Sequence, residues 1–171
     1  MELFDQHIQK ANRLFTITQK TGFALWQLQE LEGVAAQYFV LLVQVNKGMG
    51  LTEGKVLIEK AQSKTFGATV KNISKAGLLS SELGTRFDNL LSERNWLVHR
   101  SRADSRGAIH HDADASKLTL RLDAIAEESL KMLTEIRKLV ESHVLQHGVS
   151  MEHIGEKAKD LLEQWHSSDT G

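Results

Sequence analysis

Apolar residues recur every three or four positions along most of this chain, the spacing that lines up one face of an α-helix. Phe4, Ile8, Ala11, Leu14, Phe15 and Thr18 define a first amphipathic helix, Phe4 to Thr18. A second, long helix runs from about Phe23 to Asn46, where Leu25, Leu28, Leu31, Ala35, Tyr38, Phe39, Leu42 and Val45 form one stripe. Gly33 interrupts it at a cost of roughly 1 kcal/mol relative to alanine, which predicts a neighbouring helix packed close there. Asn46, Gly48 and Gly50 then supply left-handed or turn conformations that stop the helix.

Thr52 caps a third helix through Val56, Leu57, Lys60, Ala61 and Lys64, and a short helix follows from Thr69 to Lys75. After Gly77, Ser80 or Ser81 caps a helix carrying Leu83, Phe87, Leu90, Leu91, Asn95 and Val98, which ends near His99 or Arg100. Ser101 to Lys117 is polar and irregular, and reads as one long loop. Asp114 or Ser116 caps the next helix, with Leu118, Leu122, Ile125, Ser129, Met132, Ile136, Leu139 and His143 at near-heptad spacing and an end at His147 and Gly148. This helix and the second are expected to form the antiparallel backbone of the fold. Ser150 caps a last helix through Ile154, Ala158, Leu161, Leu162 and Trp165. The expected fold is an all-α, up-and-down helical bundle of four to five main helices in a single domain, residues 1–171. Its core spans about 20–147, with a C-terminal helix over 150–166 and a frayed tail over 167–171.

Composition sharpens this picture by exclusion. Proline is absent, so turns fall to Gly, Asn, Ser and Asp, as in helical bundles. Cysteine is absent too, which removes disulfides, thiolate zinc sites and a nucleophilic cysteine together. The amino terminus MELFDQHIQK has an early acid and no apolar run, so it reads as neither a signal nor a transit peptide. VAAQYFVLLVQV is broken by Gln37 and Gln44 and falls short of a membrane span, so a soluble, cytoplasmic protein with no membrane partner is expected. Trp26 and Trp165 are assigned to the core.

Twenty-one basic against 22 acidic residues leave a formal net charge of -1, so the whole-molecule field does not draw in nucleic acid. Local charge differs: Arg94, Arg100, Arg102 and Arg106 stand against one acid, Asp104, in a solvated loop or a phosphate-contacting edge. His110, His111 and Asp112, with Asp114, could ligate a metal, but adjacent residues rarely point at one ion, and a solvated or capping loop is the better reading. No metal and no cofactor are expected.

The segment RFDNLLSERNWLVHRSR, Arg86 to Arg102, carries chemistry. Its Arg94-Asn95-Trp96-Leu97-Val98-His99 resembles the Arg-x4-6-His motif of the HEPN superfamily (higher eukaryotes and prokaryotes nucleotide-binding domain), placed at the carboxyl end of a core helix with a polar residue after the arginine. The same spelling recurs from Arg106 to His111 and Arg137 to His143, but the first holds Gly107 in a loop and the second lies mid-helix. The order of elements over roughly 20–147 also resembles that superfamily.

The resemblance implies a metal-independent endoribonuclease, a toxin or defence effector, in which the ribose 2′-hydroxyl attacks its own phosphate. It implies a homodimer with two motifs facing one cleft, RNA as substrate, and an antitoxin or other partner protein. His99 would move the proton, since imidazole gives and takes protons near neutrality. Arg94 would stabilise charge on the phosphate, Asn95 would orient His99 or a phosphate oxygen, and Arg100, Arg102 and Arg106 would hold the RNA backbone. Ser101 stands where many HEPN toxins carry a tyrosine that receives a nucleotide, which speaks against that regulation.

On a helix Asn95 and His99 share a face, while Arg94 starts about 140° from His99, so its guanidinium must wrap back or the helix must end before His99. The alternative is a non-enzymatic helical dimerisation, adaptor or nucleotide-binding domain. There His99 and Arg100 satisfy the helix dipole, and Arg94 pairs with its neighbours Glu93 or Asp88.

Overall fold

With no proline and a single Gly22 between the first two apolar stripes, nothing stops the first helix. A lone glycine costs about 1 kcal/mol, less than the i→i−4 hydrogen bonds that continue through it. The computed structural model describes residues 2–45, 48–148 and 150–168, the side chains of 2, 3, 151, 153, 154, 161, 165, 166 and 168 aside. It joins the two expected helices into one, α1 (Glu2–Phe39), which passes into a π-helical turn at Val40–Gln44. Then follow α2 (Leu51–Gln62), α3 (Phe66–Lys75), α4 (Ser81–His99), α5 (Ser101–Asp104), a 3-10 turn at Arg106–Ile109, α6 (Asp112–Gln146) and α7 (Met151–Ser168). The described residues are all-helical, without a strand, and none of their helices is long and apolar enough to cross a membrane.

Local signals set most boundaries. Thr65 and Ser80 cap α3 and α4 by accepting hydrogen bonds from the amides of Ala68 and Leu83. Gly48 and Gly148 take positive φ, as turn glycines do, whereas Gly50 has φ −74° and caps α2 in extended backbone ahead of Thr52. Asn46 lies outside the described residues. Ser80→Ala removes the partner of the Leu83 amide, and we expect a loss of about 1 kcal/mol in urea unfolding; an unchanged midpoint would show the cap to be idle.

The chain divides into two units, 1–134 and 135–171. In the first, Leu28, Leu31 and Ala35 of α1, Phe66 and Ile73 of α3, Phe87 and Leu90 of α4, and Leu122 of α6 are buried. Phe66 and Phe87 meet with ring centroids 6.2 Å apart, tilted by 58°. Tyr38 is buried in the expected stripe; burial pushes its phenol above the ordinary value, and its hydroxyl donates to the Leu78 carbonyl at 3.5 Å. In the second unit the His143 and His147 ring centroids lie 4.3 Å apart with the planes tilted by 37°, and desolvation together with the His147 charge holds His143 below its ordinary value.

Ion pairs fix the helix directions in the first unit. Arg86 meets Glu128 at 2.6 Å and Glu93 meets Arg121 at 2.7 Å, so α4 and α6 run antiparallel. Arg13 meets Asp112 at 2.5 Å and Lys20 meets Asp123 at 2.6 Å. Along α1 and α6 these partners advance in the same sense, so the two long helices are parallel, not the antiparallel pair expected from their lengths. Chain length does not encode direction; the short elements between them do.

Three further expectations are corrected. The stretch from Ser101 to Lys117 is not an irregular loop: α5, the 3-10 turn and the first turns of α6, which starts at Asp112, occupy it. Phe4, Ile8, Leu14 and Phe15 face solvent rather than a core, and Trp26 is 65% exposed. Trp165 lies among the side chains that are not described. A Cβ on Gly33 would meet Gln62 Nε2 at 3.7 Å, ordinary contact, so α2 is the neighbour but leaves room for a methyl.

Candidate functional site

The motif residues sit on the last turns of α4, which stays helical through His99 and closes with the Arg100 amide donating to the Trp96 carbonyl at 2.8 Å. The helix therefore does not end before His99, and Arg94 starts about 140° away around the axis. Asn95 and His99 are exposed on one face, and among the described residues neither side chain has a hydrogen-bond partner.

Arg94 is held elsewhere. Its guanidinium donates to Glu32 Oε1 of α1 at 3.0 Å, with both side chains about three-quarters buried. The partner is sixty-two residues away in sequence rather than the neighbouring Glu93 or Asp88. Glu93 instead takes a two-pronged ion pair from Arg121, whose guanidinium also lies 3.5 Å above the Trp96 ring. Trp96 donates from Nε1 to Asp104 at 3.0 Å and so ties the end of α4 to α5. Leu97 is buried and Val98 is exposed.

His99 opens onto a cleft of about 850 Å³ between α1 and the α5–α6 corner. Arg102 and Arg106 line it with His99 and His110, and Leu14, Ile17 and Thr21 of α1 form the facing wall. Two of the three arginines assigned to backbone binding thus share a cleft with the histidine. Arg100 points to Asp104 at 3.8 Å and does not line it; neither does Arg94. Thr21 and Glu32 are about 16 Å apart along α1, so the two halves of the motif meet different stretches of that helix.

Such a cleft presents one imidazole at a helix end, a second imidazole, and two guanidiniums with an apolar floor. It can hold a phosphodiester by charge and move a proton at it. His110 and the α1 wall were not legible as site residues. His110 reads as part of the His110-His111-Asp112 run, and no spacing joins it to residues almost a hundred positions earlier. Asp112 is engaged by Arg13, and no group of three or more His, Asp or Glu among the described residues could hold a metal ion.

No family model matches the chain, and neither a curated protein nor a solved structure does.

Proposed function

We propose that the chain is a HEPN-type, metal-independent endoribonuclease, a toxin or defence effector of the cytoplasm that works as a homodimer and is restrained by a partner protein. The observation that supports it is His99, exposed and without a side-chain partner among the described residues, in one cleft with Arg102 and Arg106. On this reading Arg102 and Arg106 in the cleft, with Arg100 next to His99 in the chain, hold the RNA backbone, and His99 takes the proton of the attacking 2′-hydroxyl or supplies the one that the leaving 5′-oxygen gains, with solvent carrying the other transfer. The 2′-oxygen forms a bond to phosphorus as the bond to the 5′-oxygen breaks, leaving a cyclic phosphate and a 5′-hydroxyl. Asn95, on the face of His99, orients the imidazole or a phosphate oxygen. Arg94 lies outside the His99 cleft, tied to Glu32, and would stabilise charge on the phosphate only after its guanidinium leaves that carboxylate and swings to the cleft.

The purified chain, incubated with total RNA in EDTA, is expected to produce fragments with cyclic-phosphate and 5′-hydroxyl ends. RNA that stays intact, together with undiminished growth of a host induced to express the chain, would rule against the nuclease. The Arg94–Glu32 pair itself favours a second reading, in which the arginine is structural and the chain is a non-enzymatic dimerising, adaptor or nucleotide-binding domain.

A further inference from the structure

The amino-terminal seven turns of α1 are apolar on two opposite faces. One face carries Ala24, Leu28 and Leu31 into the core. About 180° away runs a second stripe at Phe4, Ile8, Ala11, Phe15, Gly22 and Trp26, which fall within a narrow sector at 100° per residue. Its large members are bare: Phe4 is 70% exposed, Phe15 64% and Trp26 65%. A helix apolar all round is normally covered all round.

Further along α1 the same stripe is covered. It continues through Gly33 and Ala36 to Val40 at the start of the π-helical turn, and there α2 lies over it, with Ala61, Leu57 and Ile58 packed on Ala36 and Val40. The chain thus caps one end of the stripe with its own helix and leaves the other end open.

We propose that the open end pairs with the same stripe of a second copy, antiparallel, about a twofold axis at Phe15. Phe15 lies midway between Phe4 and Trp26, so this axis sets Phe4 against Trp26 of the second copy. Ile8 then falls on Gly22 of the second copy, where nothing stands within 4 Å of a would-be Cβ. Large faces small and aromatic faces aromatic, a register that fits the stripe to itself. With Leu14 and Phe23 on the flanks, the exposed side chains offer about 600–700 Å² per copy, against the roughly 800 Å² per partner that a stable interface buries.

The pairing deepens the two-copy arrangement proposed above and rests on that reading only for its consequence at the site. Leu14, which flanks the stripe, also lines the His99 cleft. A twofold perpendicular to two facing helices keeps the same flank of each copy on the same side, so both clefts open side by side.

Light scattering on the intact chain is expected to give about twice its 19.2 kDa. Phe15→Asp places two carboxylates at the axis and should raise the dimer Kd by about 100-fold or more, with unchanged far-UV circular dichroism. The chain has no cysteine, so Phe15→Cys supplies one thiol per copy. Helices packed about 8–10 Å apart bring facing Cα atoms into the roughly 4.4–6.8 Å that a disulfide spans, and mild oxidation should link the copies. Leu120→Cys, equally exposed on α6, should not link. A monomeric natural chain, a Phe15→Asp variant that stays dimeric, or linking through Leu120→Cys as readily as through Phe15→Cys would overturn the proposal. None of these readouts depends on RNA cleavage, so an inactive dimer and an active monomer are told apart.

Discussion

His99→Ala is expected to lower RNA cleavage by about 10²–10⁴-fold, the range for removing a positioned proton-transfer group, and to leave the unfolding midpoint in place. The separation of activity from stability follows from the structure. The imidazole is exposed and has no side-chain partner among the described residues, so truncating it opens no cavity and orphans no buried group. Arg94→Ala behaves differently: it strips Glu32 of its partner and should cost about 1–2 kcal/mol of stability alongside any loss of activity. Glu32→Gln then divides the two readings of Arg94. If the guanidinium is to be released to a phosphate, weakening its carboxylate tether preserves or tightens RNA binding; if it is structural, the variant is merely less stable. Cleavage by His99→Ala at the natural rate, measured on the same RNA, would remove the histidine from the mechanism.

Phe87→Ala is expected to destabilise the first unit by about 3–5 kcal/mol, the usual cost of emptying a large aromatic site that can only partly collapse. Phe87 is fully buried and its ring meets Phe66, so the loss falls where α3 and α4 join. Val98→Ala on the same helix, at an exposed position, should stay within about 0.5 kcal/mol. Urea unfolding followed by circular dichroism reads both, and a Phe87→Ala shift below 1 kcal/mol would place the core elsewhere.

The features that were legible in the residues alone are those whose physics is local. Ser80 could be read as a cap because the hydroxyl and the Leu83 amide are three residues apart, and Gly148 as a stop because only glycine takes its φ of +80° without strain. The helix carrying Arg94, Asn95 and His99, and its end at His99, follow from the same short-range pattern. The face Asn95 shares with His99 follows too, since 3.6 residues per turn is a property of the backbone.

Periodicity could not say what lies opposite a stripe. Phe4, Ile8, Phe15 and Trp26 share a face of α1 as their spacing requires, yet that face looks outward, because the core is taken by the Leu28 and Leu31 side of the same helix. Nor could it choose partners: Arg94 had acids one and six residues away, and the packing of α4 on α1 gave it Glu32 instead.

By itself, then, the order of residues determined that the chain is helical, where α4 begins and ends, and that an arginine, an asparagine and a histidine close it. The tertiary structure alone decided that α1 and α6 run parallel, that His99 shares a cleft with Arg102, Arg106 and His110 whose facing wall α1 supplies, and that Arg94 is tied to Glu32. The reason is one of range: caps, turns and faces are settled by atoms within about one helical turn, whereas helix direction and side-chain partners are settled by which buried surfaces fit together across the whole unit.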